Sequence, residues 1–185
     1  MRAVFLALLC IVGASSLLAK EKPPVTYTIP LPPKPDFSAL EWLLGAWAGK
    51  TTGRAPQGEV RLSVAYDLEK RVMVLREEVT FPATTAVPAA KEAWMGILSG
   101  DRSGAGFILW TFSDTGFITR YRVTAQEGEV TCNPEGGEQP PPEWLVRRVI
   151  SRSGDAELTE TVQMAPPKRA FFEYYSAKLT RTSSP

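Results

Sequence analysis

Four charged side chains fall where strands would turn them toward an apolar interior: Glu77, Arg148, Glu160 and Glu173. In residues 71–81, Met73, Leu75, Val79 and Phe81 form the more apolar face, and Glu77 falls on it. By period two Glu77 points inward while Arg76 and Glu78 point out. The same rule sets Arg148 with Trp144, Val146 and Ile150, and Glu160 with Leu158, Val162 and Met164. It also sets Glu173 with Phe171, Tyr175 and Leu179. An inward carboxylate is costly unless it is paired or hydrogen-bonded. Three acids and one arginine sharing an interior could anchor the polar head of a ligand. With the pKa of Glu77 raised by burial, they could instead do acid–base chemistry on a hydrophobic substrate. The competing reading is a β-bulge, which shifts the register and leaves these as ordinary outer-face charges.

The chain contains no histidine. That closes Ser-His-Asp and Cys-His catalysis, an imidazole base near neutrality, and His-ligated metal or haem. No D-x-[DN]-x-[DN]-G calcium loop occurs. We therefore expect no metal site and no cofactor, and we assign no catalytic residue. The aromatic residues are more informative. Trp42, Trp47, Trp94, Trp110 and Trp144, with Phe107, Phe112, Tyr121 and Tyr175, supply an aromatic interior. The candidate ligand-binding set is Trp47, Glu77, Trp94, Trp110, Tyr121, Arg148 and Tyr175. The loop 82–90 either lids a barrel mouth or is an exposed apolar loop without a role.

The elements that must position these residues are strands. Ten candidate segments, 46–52, 58–67, 71–81, 92–99, 106–113, 117–125, 129–133, 143–151, 156–164 and 170–180, are separated mostly by short turn sequences. In the second, Val60, Leu62, Val64 and Tyr66 alternate strictly with Glu59, Arg61, Ser63 and Ala65. No pair is separated by the helical crossover that parallel strands need. Ten antiparallel strands avoid open edges most simply by closing on themselves. The expected fold is all-β: a closed, antiparallel up-and-down barrel of about ten strands, with a two-sheet sandwich as the alternative. Ahead of it, Ser38 and Glu41 have the spacing of a capping box, and Phe37 and Trp42 that of a hydrophobic staple. Leu40, Leu43 and Leu44 give one apolar face and Gly45 a left-handed stop, so a short plug helix should close one barrel end.

The first nineteen residues run from one positive charge through an apolar stretch to small residues, the order of a secretory signal. Cleavage is expected after Ser16 or Ala19, with the product exported to a periplasmic or extracellular space and keeping no membrane span. The apolar run is shorter than the ~20 residues a bilayer core needs, and Leu9 before Cys10 argues against lipidation. Residues 20–36 read as a proline-rich spacer, with six prolines between Lys22 and Pro35. Residues 37–182 read as the barrel domain. Removal of the signal leaves Cys132 as the one cysteine, expected to be a small buried hydrophobe without an intramolecular disulfide. It also leaves 20 basic and 20 acidic residues with no basic stripe, which argues against nucleic acid as a partner.

The opening LLGAWAG at residues 43–49 resembles that of the nitrobindin and fatty-acid-binding-protein-like barrels of the calycin type. It is more similar still to uncharacterised bacterial exported barrels with a Leu-Leu-Gly-x-Trp-x-Gly start. The strand around Ile118-Thr-Arg-Tyr121 and the closing Ala165-Pro-Pro and Phe172-Glu-Tyr-Tyr175 also resemble that group. The resemblance spans residue 37 to about residue 182. It implies a ten-stranded barrel able to hold a small hydrophobic molecule or a porphyrin. Nitrobindin haem binding uses a proximal histidine near the C-terminal end, where this chain has Glu173-Tyr-Tyr-Ser-Ala-Lys178, so that activity does not carry over. A tyrosinate at Tyr174 or Tyr175 is the remaining axial ligand. Three readings follow: an exported binding module for a small, largely apolar ligand, a solid-cored structural or interaction barrel, or a carboxylate-based enzyme acting on a hydrophobic substrate.

Overall fold

The computed structural model describes residues 29–102, 106–138 and 141–182. The chain divides into two units, Met1–Pro32 and Pro33–Pro185. The signal-like segment lies outside the described residues. In the second unit a 3-10 helix, Ser38–Leu43, precedes ten strands. They are β1 (Gly45–Gly53), β2 (Glu59–Asp67), β3 (Val72–Phe81), β4 (Ala90–Gly100) and β5 (Phe107–Ser113). β6 (Ile118–Gln126), β7 (Glu129–Gly137), β8 (Leu145–Gly154), β9 (Glu157–Ala165) and β10 (Phe172–Thr182) complete the set. Each strand pairs antiparallel with its neighbours in sequence, and β10 returns to β1, so the sheet is a closed barrel. This is the all-β fold expected from alternation, and the sandwich is excluded.

The opening motif closes one end. Gly45 takes φ +124°, a conformation that lets the 3-10 turn enter β1 and that a side chain would strain. Trp47 is buried and donates its indole N–H to the Leu43 carbonyl at 2.8 Å. The Arg181 guanidinium lies 4.1 Å from the centre of its ring. At Gly49 the Lys178 carbonyl of β10 occupies the space a Cβ would need, so glycine lets β1 and β10 meet. Phe37, Leu40 and Leu43 fill the barrel below, with Phe37 stacked 5.4 Å from Phe107.

The expected capping box does not form. The Asp36 carboxylate accepts the Ser38 N–H at 2.9 Å, while the Glu41 carboxylate accepts the Tyr66 hydroxyl at 2.9 Å. Asp36 stands close enough to hold the backbone N–H, and Glu41 is drawn across to β2. The segment stays a 3-10 turn, the form short helical pieces take when tertiary packing sets their geometry.

The interior face of each strand follows from this register. Glu77 of β3 lies opposite Leu62 of β2 and Trp94 of β4, and all three face inward. Glu173 departs from its expected place. A bulge between Glu173 and Tyr175 turns it to solvent, while Tyr175, Ala177 and Leu179 stay buried. The bulge is held by the Tyr174 carbonyl, which accepts the N–H groups of Arg54 and Ala55 at 3.1 and 3.0 Å. Trp110 and Phe112 also depart. They alternate with Leu109 and Thr111, and it is the latter pair that is buried, so both rings stand on the outer surface. Cys132 is buried, and burial pushes its thiol up to about 12.

Candidate functional site

At the end opposite the plug the strands separate around a cavity of about 690 Å³. Its walls are largely apolar and aromatic: Trp94, Tyr121, Trp144, Val146, Val162, Met164 and Phe172. Trp144 meets Phe172 edge-on at 6.1 Å. The volume lies within the roughly 300–1,000 Å³ typical of small-molecule sites. Residues 82–90 are exposed and none of them lines the cavity, so of the two readings of that loop the exposed apolar loop fits and the lid does not.

The floor is polar. The Arg148 Nη1 donates to Glu77 Oε1 and to Glu160 Oε1, each at 2.8 Å. Glu77 Oε1 also accepts the Trp94 indole N–H at 2.9 Å and the Tyr175 hydroxyl at 3.2 Å. The guanidinium lies 4.6 Å from the centre of the Trp94 ring, adding a cation–π contact. Glu77 and Glu160 are buried. Arg148 keeps 13 % of its side chain accessible, on the cavity side. Five strands supply this one knot: β3, β4, β8, β9 and β10.

Burial opposes the Arg148 charge, but the facing Glu77 and Glu160 outweigh it and hold the guanidinium firmly charged. Burial, and then the neighbouring Glu77 charge, push Glu160 well above its ordinary 4.5 in spite of Arg148. The remaining oxygens, Glu77 Oε2 and Glu160 Oε2, are buried and find no donor among the described residues. The two carboxyls flank one Arg148 nitrogen, and the direction of the Glu160 shift favours a proton on that carboxyl. At the rim, burial and then the like charges of Glu77 and Asp114 raise Glu92, despite Arg148 and its hydrogen bond from Tyr174.

Glu77, Trp94, Tyr121, Arg148 and Tyr175 come together around the cavity and its floor. Trp47 is interior but belongs to the plug end, outside the cavity lining, and Trp110 is on the outside. Glu160, which alternation placed inside, completes the knot. Glu92 was missed although it shares the parity of Trp94; carrying the alternation two residues back along β4 would have found it. Thr111 and Thr119, buried beside the Tyr121 hydroxyl, have no sequence signal beyond their parity.

Among the described residues no group of three or more His, Cys, Asp or Glu side chains is placed to hold a metal ion. A porphyrin does not fit the donor set. The hydroxyls of Tyr174 and Tyr175 are committed to Glu92 and Glu77, and burial pushes both away from tyrosinate. No helix among the described residues is long and apolar enough to cross a membrane.

No family model and no curated protein matches the chain. Among solved structures it is similar to the crystal structure of Rv2717c from M. tuberculosis, with a TM-score of 0.58 and 18% identity. The match covers 80% of this chain and 97% of that one. At that identity the likeness extends to the barrel fold.

Proposed function

We propose that this protein is an exported binding module for a small, largely apolar ligand, a calycin-type barrel in the manner of the nitrobindin and fatty-acid-binding-protein-like group. The observation that carries the reading is the aromatic cavity of about 690 Å³ ending on the buried Glu77–Arg148–Glu160 knot. An apolar molecule entering it gains roughly 25 cal/mol for each Å² removed from water, and one polar group at the floor fixes its orientation. Export rests on the pattern of residues 1–19, and the calycin kinship on the motif at residues 43–49. The cavity argues against a solid-cored structural barrel.

The experiment is a titration of the full chain with an uncharged, environment-sensitive dye such as Nile red. Met164 lines the cavity from β9, opposite Val146 of β8. Met164→Trp narrows the space from its wall and should weaken dye binding at least about tenfold while leaving the denaturation midpoint nearly unchanged. Dye affinity that does not change with this substitution would move the ligand site elsewhere.

A carboxylate-based enzyme acting on a hydrophobic substrate is the second reading. It is favoured by Glu160, a carboxyl shifted toward the acid form beside an arginine-paired neighbour, an arrangement that separates acid and base roles. Under that reading Glu77→Gln removes turnover of a bound substrate and leaves its affinity. A loss of affinity alone would refute it.

A further inference from the structure

The floor of the cavity has no net charge left to offer an anion. One guanidinium stands against two carboxyls, each 2.8 Å from the same Nη1. The unshared oxygens of those carboxyls are buried without a donor among the described residues, and the two carboxyls are neighbours on that one nitrogen. Two adjacent carboxylates in such a place repel each other, and a single proton on the pair removes one of the two negative charges. The knot then sums to zero: one cation, one carboxylate and one carboxylic acid. The groups around it do not alter the sum. Tyr121 of β6, Cys132 of β7 and Tyr175 of β10 are neutral, since burial raises all three.

The approach to the floor is acidic. Glu92 and Asp114 stand at the mouth, near enough for the charge of Asp114 to raise Glu92. Lys91 also lies at the mouth, but its ammonium is 2.6 Å from Glu78, whose side chain is on the outer face of β3. What the floor presents to a ligand is therefore the accessible edge of Arg148, a group that only donates hydrogen bonds. A carboxylate arriving there would be a third acid beside one arginine. An amine would meet a guanidinium with no acceptor of its own.

Building on the reading that the cavity binds an apolar molecule, we propose that the ligand's polar end is an uncharged hydrogen-bond acceptor, such as an ester, ketone or amide carbonyl. The barrel discriminates against the carboxylate and the amine of the same skeleton. Arg148 is the residue that holds the acceptor, and the Glu77–Glu160 pair, by cancelling the arginine charge, sets the selectivity.

The test is competition against Nile red on the full chain near neutral pH, with methyl dodecanoate, dodecanoate and dodecylamine as matched competitors. Methyl dodecanoate should displace the dye at a concentration at least about tenfold below either charged competitor, the discrimination expected when charge must enter a site without a counter-charge. Dodecanoate or dodecylamine binding as tightly as the ester would overturn the inference while leaving a binding barrel in place. Failure of the dye and of all three competitors to bind would remove the binding reading itself, and this inference with it. The double substitution Glu77→Gln with Glu160→Gln sharpens the result. With neither carboxyl left beside Arg148 its charge is uncovered, dodecanoate should gain at least about tenfold on the ester, and an unchanged order of competitors in the folded variant would refute the charge cancellation. Should that variant not fold, the competition on the unsubstituted protein decides.

Discussion

At the plug end, Phe37, Leu40, Leu43 and Trp47 fill the barrel and exclude solvent, whereas at the mouth the same strands leave about 690 Å³ between Trp94, Trp144, Val146 and Phe172. Both ends are rich in aromatic residues, so composition does not separate them. Polar bonding does. At the plug the one buried indole N–H is answered locally, by the Leu43 carbonyl. At the floor of the mouth a guanidinium, two carboxyls, an indole and a phenol answer one another across five strands. Apolar side chains collapsing onto that knot would strip Arg148 of its remaining access to solvent without supplying an acceptor. A knot that bonds inward thus acts as a floor, and the space above it stays open.

The comparison can be broken first at the plug. Trp47→Ala should destabilise by about 3–5 kcal/mol, the range for deleting a buried large aromatic. The upper part of that range is expected, because the hydrogen bond to Leu43 and the contact with Arg181 go with it. A denaturation midpoint that stays in place would mean the opening motif does not seal the barrel.

Breaking the mouth should cost somewhat less. Arg148→Met leaves Glu77 and Glu160 buried without a counter-charge, a loss of about 3–5 kcal/mol for a fully buried pair. The lower part is expected here because Arg148 keeps 13 % of its side chain accessible. Urea denaturation measures it, and a change below about 1 kcal/mol would show that the knot contributes little to folding.

The smallest effect is one of slope. Glu160 is raised above its ordinary 4.5 in the folded protein, so it binds its proton more tightly there than in the unfolded chain. Its contribution to stability is complete below about pH 4.5 and is lost as pH rises from there through the raised folded value. Glu160→Gln should flatten that decline. The check is urea denaturation of both proteins across the acid-to-neutral range; equal slopes would contradict the shared proton.

Much of this contrast is legible in the chain. Strict alternation at 59–66 and the more apolar face of 71–81 expose the strands, and no bulge interrupts β3 or β8 near Glu77 and Arg148, so parity carries both side chains inward. Glu173 fails the same reasoning because its bulge depends on the carbonyl of Tyr174 meeting Arg54 and Ala55, some 120 residues earlier in the chain. Trp110 fails for another reason. Ile108, Leu109, Trp110 and Phe112 put apolar residues on both faces of β5, so parity gives no inside. The capping box at Ser38 and Glu41 is a local pattern that a nearer carboxylate, Asp36, displaces. The hollow itself has no sequence signature, since it depends on how far the strands stand apart at the mouth.

The central claim is that the mouth is a site for a small apolar molecule held above the Arg148 knot. Native mass spectrometry of the full-length gene product purified from its own host tests it most directly, run beside Met164→Trp prepared in the same way. The account predicts that the unsubstituted protein carries an additional small-molecule mass, removed by organic extraction, which the Met164→Trp protein carries in much lower proportion. Detection of the same adduct in equal proportion on both proteins, or of neither adduct nor any saturable uptake of Nile red, would contradict it.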